Sequence, residues 1–344
     1  MKFRKIAALL MAVVMVFGVT ACGGGSSSES ESASASEAES SSDGSSAEDS
    51  GSGDLDIAYI VKAKTDEFWT SMEKGAEAYA KEVGVNLEFQ APEKETDIEK
   101  QVQMVENAVI KGVDGIVLSV ADSQALIPSI IKANEADIPV VLVNDTIDEE
   151  ALEADGGYVE TYVGINQYDA AKLAGDYAAE NIQDGKICYL EGISGVKAHE
   201  DRLSGFADAV DFDVLASQTA KCDRNEAFNV MQNVLSATPD VNVVWAINAE
   251  MGQGAIQAIE QGGFEGKIQV FDFDASSDDL AAIEAGTLTG TVAQYPEIQA
   301  STAIQCCIDA INGEELEDHT ETKAQLITKD NLEDYKAEIA ELTE

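Results

Sequence analysis

From Leu55 onward, short apolar runs alternate with longer stretches whose apolar residues recur every three or four positions. The runs are LDIAYIV, VDGIVLSV, IPVVLVN, YVGI, KICYLEG, FDVLASQ, VNVVWAIN, KIQVFDFD and LTGTVAQ. They are rich in β-branched residues and read as strands. The stretches between them read as helices. One is expected over 97–111, where Ile98, Val102, Val105 and Val109 share a face behind a Thr96/Asp97 cap. Another is expected over 167–181, with Ala171, Ala174, Tyr177 and Ala178 on one face. Strand alternating with helix implies right-handed βαβ units and parallel sheets covered on both faces. The folded length is large for one sheet and suits two similar α/β lobes. A boundary is expected near Tyr162–Asn166, after TIDEEALEADGG, which reads as an extended acidic loop.

Composition changes this picture at the N-terminus. Residues 1–21 carry Lys2, Arg4 and Lys5 ahead of an apolar core that is short for a membrane span. With Val19-Thr20-Ala21-Cys22-Gly23 they resemble a bacterial lipoprotein signal, which implies lipidation at Cys22. Residues 23–53 hold fourteen Ser and seven acids, with no aromatic and no basic residue. Such a segment buries too little apolar surface to offset its ordering entropy, so it reads as a flexible tether. Its rms span is on the order of 30 Å. Two acyl chains would give stable membrane anchoring.

The net charge is −44, from 65 acidic and 21 basic residues. That field repels nucleic acid and sets that class of partner aside. Cys188, Cys222, Cys306 and Cys307 have no Cys-x-x-Cys pairing or His cluster among them, which argues against zinc. Cys306 and Cys307 fall in an apolar helical stretch and read as core. Cys188 and Cys222 could pair as a disulfide in an exported protein.

Ligands of open α/β sheets bind beyond the carboxyl ends of the strands. Those ends carry Lys62, Asp66, Phe68 and Trp69; Ser119 and Asp122; Asn144 and Asp145; Lys197 to Arg202; Cys222, Asp223 and Arg224; Asn248, Asp274 and Gln294. Planar hydrogen-bonding groups beside two aromatics suit a sugar, whose C–H faces stack on rings while its hydroxyls bridge polar groups. Each feature has a purely structural alternative. Asn144-Asp145 could be a turn, Asn248 and Asp274 helix caps, and Phe68-Trp69 a staple into the core.

NVMQNVLSATPDVNVVWAINAEMGQGAIQAI, GVDGIVLS, IPVVLVN, GDYAAENI, FDFD and TVAQYP together resemble the ribose-binding branch of the type I periplasmic substrate-binding proteins. The resemblance runs from about residue 55 to 330. It implies two doubly wound parallel-sheet lobes joined by three crossover strands and closing like a hinge. It places residues 54–164 and 296–324 in the N-terminal lobe and 165–295 and 325–344 in the C-terminal lobe, after a signal at 1–21 and a tether at 22–53. The hinge is expected near Gly164-Ile165, Tyr295-Pro296 and Gln325. The function implied is a lipid-anchored, extracytoplasmic receptor that binds a small sugar or polyol and delivers it to an ABC permease and its ATPase. It implies a monomer, without cofactor, metal or catalytic residues. A receptor feeding a signalling or chemotaxis partner is the alternative.

Carried over by position, the resemblance assigns ligand contacts to Asp66, Phe68, Trp69, Ser119, Asn144, Asp145, Glu200, Arg202, Cys222, Asn248, Asp274 and Gln294, with Lys62 added from its strand end. Departures from the family pattern matter. Asp145 and Glu200 stand where arginines are common, and Cys222 stands where an aromatic is. Unpaired carboxylates in a closed cleft are costly. Lys62 and Arg202 balance them, or else the ligand does, as an amino sugar or another cation. Two carboxylates such as Asp145 and Asp274 could serve glycoside chemistry, but no nucleophile–base pair or phosphate loop accompanies them. A ligand-sensing transcription factor would need a DNA-binding segment where the signal and tether lie.

Overall fold

The computed structural model describes residues 55–343, so the signal at 1–21, the tether at 22–53 and Cys22 lie outside the described residues. The first half of the folded chain runs β1 (Asp56–Ile60), α1 (Glu67–Val83), β2 (Asn86–Gln90), α2 (Ile98–Lys111), β3 (Gly115–Leu118), α3 (Ile127–Glu135), β4 (Val140–Val143), α4 (Glu149–Ala154) and β5 (Thr161–Gly164). The second runs α5 (Gln167–Asn181), β6 (Lys186–Glu191), α6 (Lys197–Ala209), β7 (Asp213–Thr219), α7 (Arg224–Ala237), β8 (Val243–Ala246), α8 (Ala249–Gly262), β9 (Gln269–Phe273), α9 (Ser277–Ala285) and β10 (Gly290–Ala293). The chain ends with α10 (Pro296–Ile311), β11 (His319–Glu321), β12 (Gln325–Thr328) and α11 (Leu332–Thr343).

These strands form two six-stranded sheets of matching order, β2-β1-β3-β4-β5-β11 and β7-β6-β8-β9-β10-β12. Every pairing is parallel except β10 with β12. The order reverses between β1 and β3 in one sheet and between β6 and β8 in the other, so each lobe has a switch point. The chain passes between the sheets at residues 165–166, at 294–295 and at 322–324.

The apolar runs become central strands because both sheet faces are covered. On β1, Ile57 and Tyr59, with Val61 just beyond its end, meet α1 and α10, while Ala58 and Ile60 meet α2 and α3 on the other face. Cys306 and Cys307 are buried on α10. A Cβ at Gly115 would lie 2.4 Å from Cys307 Sγ, so a side chain there would push α10 off the sheet. The second lobe has one continuous core, in which Phe206 stacks on Trp245 with centroids 4.5 Å apart.

The helix expected over 97–111 spans Ile98–Lys111 after Asp97, and Gln167–Asn181 is helical with Asn166 accepting from Asp169 N. Three strands went unread: β2, β11 and β12. β2 and β11 are short, partly exposed edges, and their apolar signal is correspondingly weak. The acidic loop also differs from expectation. It contains α4, capped by Asp148, which accepts from Ala151 N at 3.0 Å.

Candidate functional site

The strand ends of the two sheets face each other across a small enclosed cleft. Its wall on the first lobe starts at the turn after β1. Asp66 caps α1 by accepting from Trp69 N at 3.1 Å, and that cap fixes Phe68 and Trp69 in the first turn. Both rings line the cleft, packed edge-to-face at 4.8 Å, and both also join the core behind them. The staple reading and the ligand-wall reading are therefore one arrangement.

Lys62 is buried, with Nζ 3.0 Å from Asp145 Oδ1 and 3.7 Å from Glu95 Oε2. Burial disfavours its charged form, but Asp145 and Glu95 more than offset that and raise its pKa. Ser119 Oγ donates to the other Asp145 oxygen at 2.6 Å.

On the second lobe, Arg202 donates to Gln167 Oε1 at 2.8 Å and to Ile247 O at 3.1 Å. Its guanidinium lies 4.0 Å from the Phe273 ring centroid and 3.5 Å from Asp274 Oδ1. Gln294 donates to Asp274 at 2.6 Å, and Asn144 donates to Gln294 at 2.7 Å, so one relay joins both lobes and a crossing. Asn248 caps α8 by accepting from Met251 N while lining the cleft. Burial raises the Asp274 pKa against the opposing pull of Arg202. Burial, then Glu95, raises that of Asp66 well above the usual carboxylate range.

The backbone is strained where these side chains emerge. Asn144, Cys222, Asp274 and Tyr295 take φ of 61°, 57°, 96° and 51°, all in the left-handed region. Non-glycine residues held there cost on the order of 1–3 kcal/mol each and cluster at ligand sites. Tyr162 Oη, between Asn144 O (2.9 Å) and Ile165 O (3.0 Å), braces the first crossing.

Of the residues singled out from sequence, Lys62, Asp66, Phe68, Trp69, Asn144, Arg202, Cys222, Asn248, Asp274 and Gln294 line the cleft. Ser119 and Asp145 do not; they sit buried behind Lys62 and hold it. Glu200 is a correction. It is exposed and lines a separate groove with Lys197 and Asp201. On α6 a one-residue step rotates a side chain by about 100°, so His199, three before Arg202, shares the buried face instead. That i, i+3 spacing was the signal for His199. Its Nε2 lies 3.3 Å from Lys62 Nζ and 3.8 Å from Cys222 Sγ. Burial, then Lys62 and Arg202, lowers its pKa and keeps it neutral. Glu95 was missed because β2 was missed, and Glu95 lies in the loop after it. Cys188 and Cys222 are both free thiols, so the possible disulfide is absent.

The space left between these side chains is about 20 Å³, room for roughly one water. A ring-sized ligand therefore enters only if lobes or side chains move. Larger grooves of about 740 and 900 Å³ flank the cleft, but these aromatic and planar polar groups converge at the smaller site.

Two doubly wound lobes, three crossings and a polar, aromatic-walled cleft between strand ends define a two-lobed binding protein for a small polar solute. Residues 57–315 match the periplasmic binding protein domain family. The ribose import binding protein of Salmonella typhimurium is 32% identical over 277 residues, 79% of this chain and 90% of its own. Among solved structures, the periplasmic solute-binding protein of an Actinobacillus succinogenes ABC transporter with bound D-allose matches at 33% identity and TM-score 0.77, over 82% of this chain and all of that one. A Bacillus halodurans ABC transporter solute-binding protein with bound myo-inositol matches at 28% identity and TM-score 0.76, over 84% and 99%. The chain belongs to the periplasmic binding protein family, in its ribose-binding branch, whose members are substrate-binding proteins rather than enzymes.

Proposed function

We propose that this protein is an extracytoplasmic receptor that captures a small sugar or polyol between its lobes and delivers it to an ABC permease and its ATPase. The observation that carries the reading is the cleft itself: Phe68, Trp69 and Asn144 on the first lobe, and Arg202, Asn248, Asp274 and Gln294 on the second. Rings stack on the apolar face of a sugar, while the amides, guanidinium and carboxylate bridge its hydroxyls. The hinge lies at the three crossings, and ligand favours closure by contacting both lobes at once. The division of the chain into lobes at 54–164 with 296–324 and 165–295 with 325–344 belongs to the same reading. So do lipidation at Cys22, a tether over 22–53 and a monomeric receptor. The relatives named above support the solute class, since they are described with ribose, D-allose and myo-inositol.

Thermal-shift measurements against pentoses, hexoses, inositols and amino sugars test the solute class. A ligand specific to the folded form raises the melting temperature. Silence across the panel would sink the sugar reading. Radiolabelled palmitate incorporated by the wild type and lost in Cys22→Ser tests the anchor.

A further inference from the structure

Glu95 enters the cleft from the loop between β2 and α2. Its Oε1 accepts from the Trp69 indole at 3.2 Å; its Oε2 is buried with no well-aligned hydrogen bond, and the Cys222 thiol beside Glu95 is only a weak donor. The side chain is only 11% exposed, and the nearest cation, Lys62 at 3.7 Å, is already 3.0 Å from Asp145. Asp66 stands on the same wall with one oxygen engaged by Trp69 N. Arg202 is held by Gln167, Ile247 O and Asp274. With every acid ionised, Lys62 and Arg202 face Asp66, Glu95, Asp145 and Asp274, two carboxylates more than cations. Burial answers that excess by favouring the protonated forms of Asp66 and Asp274, and a bound cation would answer it instead. Buried carboxylates need a partner, and carboxylates beside an aromatic ring suit an alkylammonium group.

We propose that the ligand of this cleft carries an ammonium group, as an amino sugar or amino-polyol does, and that Asp66, Glu95 and the Trp69 ring receive it. This rests on the polyol-receptor reading and adds a charge to it. The structure also replaces the residues on which that idea stood in the sequence. Asp145 is neutralised by Lys62 and Glu200 faces another groove, while Glu95 supplies the missing carboxylate. A transition metal is the rival occupant, because His199 Nε2 lies 3.8 Å from both Glu95 Oε2 and Cys222 Sγ. The Lys62 ammonium, 3.3 Å from that nitrogen, opposes a dication about twice as strongly as it opposes a ligand ammonium at the same distance. The ligand ammonium must bind on the Asp66 side of Glu95, away from Lys62.

Calorimetric titration of the full-length protein with glucosamine, galactosamine, mannosamine, their hydroxyl parents, their N-acetyl forms and Zn²⁺ alone tests the assignment. An amine should bind at least about tenfold tighter than its parent, as a charge-assisted hydrogen bond provides. N-acetylation should abolish the advantage, and Glu95→Gln should weaken the amine more than the parent. A parent sugar binding as tightly as its amine overturns the ammonium site and leaves the receptor reading standing. Silence with every sugar overturns both. Zn²⁺ binding that is lost in His199→Ala and in Cys222→Ser overturns it in favour of a metal centre.

Discussion

Replacing Asp272 by asparagine should make the protein more stable at neutral pH. Asp272 lies on β9, two residues before Asp274, and is fully buried. Neither of its oxygens makes a well-aligned hydrogen bond, although the Thr291 hydroxyl and the Asp279 carboxyl lie close to them, and a Cβ on Gly252 of α8 would collide with Oδ2. Burial, then Asp279, pushes its pKa well above the usual carboxylate range. Asp279 is itself fully buried in the first turn of α9, and burial raises its carboxyl from 3.8 to about 6. One pKa unit corresponds to about 1.4 kcal/mol, so the Asp279 shift, which sets the scale for one buried acid of this pair, amounts to roughly 3 kcal/mol at most. The sign follows from the direction. In the unfolded chain the carboxyl loses its proton near 3.8; in the fold it keeps it to about 6. Stability is therefore lost as pH rises through that window. Asparagine removes one of the two acids and can donate to the other. Thermal unfolding of wild type and Asp272→Asn at pH 5 and pH 8 checks this. The variant should gain most at pH 8, by up to about 5 °C for a fold of this length. An unchanged or lower melting temperature at pH 8 would refute the reasoning.

Three further outcomes follow from the cleft and the core. Trp69→Ala should abolish ligand binding and destabilise the fold by about 3–5 kcal/mol, read by calorimetry and urea unfolding; retained wild-type affinity would remove the ring from the site. Asp145→Ala strands the buried Lys62 ammonium beside Glu95 alone and should cost about 3 kcal/mol in the same unfolding assay, whereas exposed Glu200→Ala should move neither stability nor affinity. Burial raises the thiol pKa values of Cys188, Cys222, Cys306 and Cys307, so they should react slowly with Ellman's reagent in the native protein and fully in denaturant. Rapid native labelling of Cys222 would mean that the cleft opens readily to solvent.

The local pattern carried the architecture because periodicity and strand–helix alternation are properties of neighbouring residues. All nine apolar runs contain central or paired strands of the two sheets, and helices such as Gln167–Asn181 could be read from spacing and caps. The rule that ligands sit beyond strand ends then placed ten side chains in the cleft without any coordinates. Where the sequence failed, the deciding quantity was an orientation or a long-range pairing. β2 is a weakly apolar edge strand that exists because it pairs with β1, and without it the Glu95 loop had no strand end to belong to. Glu200 and His199 are adjacent in sequence, and only the docking of α6 on the sheet turns one into the cleft and the other to solvent. Likewise, Asp145 could be named from its strand end, but its pairing with Lys62, 83 residues away, is what takes it out of the cavity. Composition and periodicity determined two sheets and the rim on which a site is built. The tertiary structure decided which carboxylates share that site, because charge balance in a buried cleft depends on distances between residues far apart in the chain.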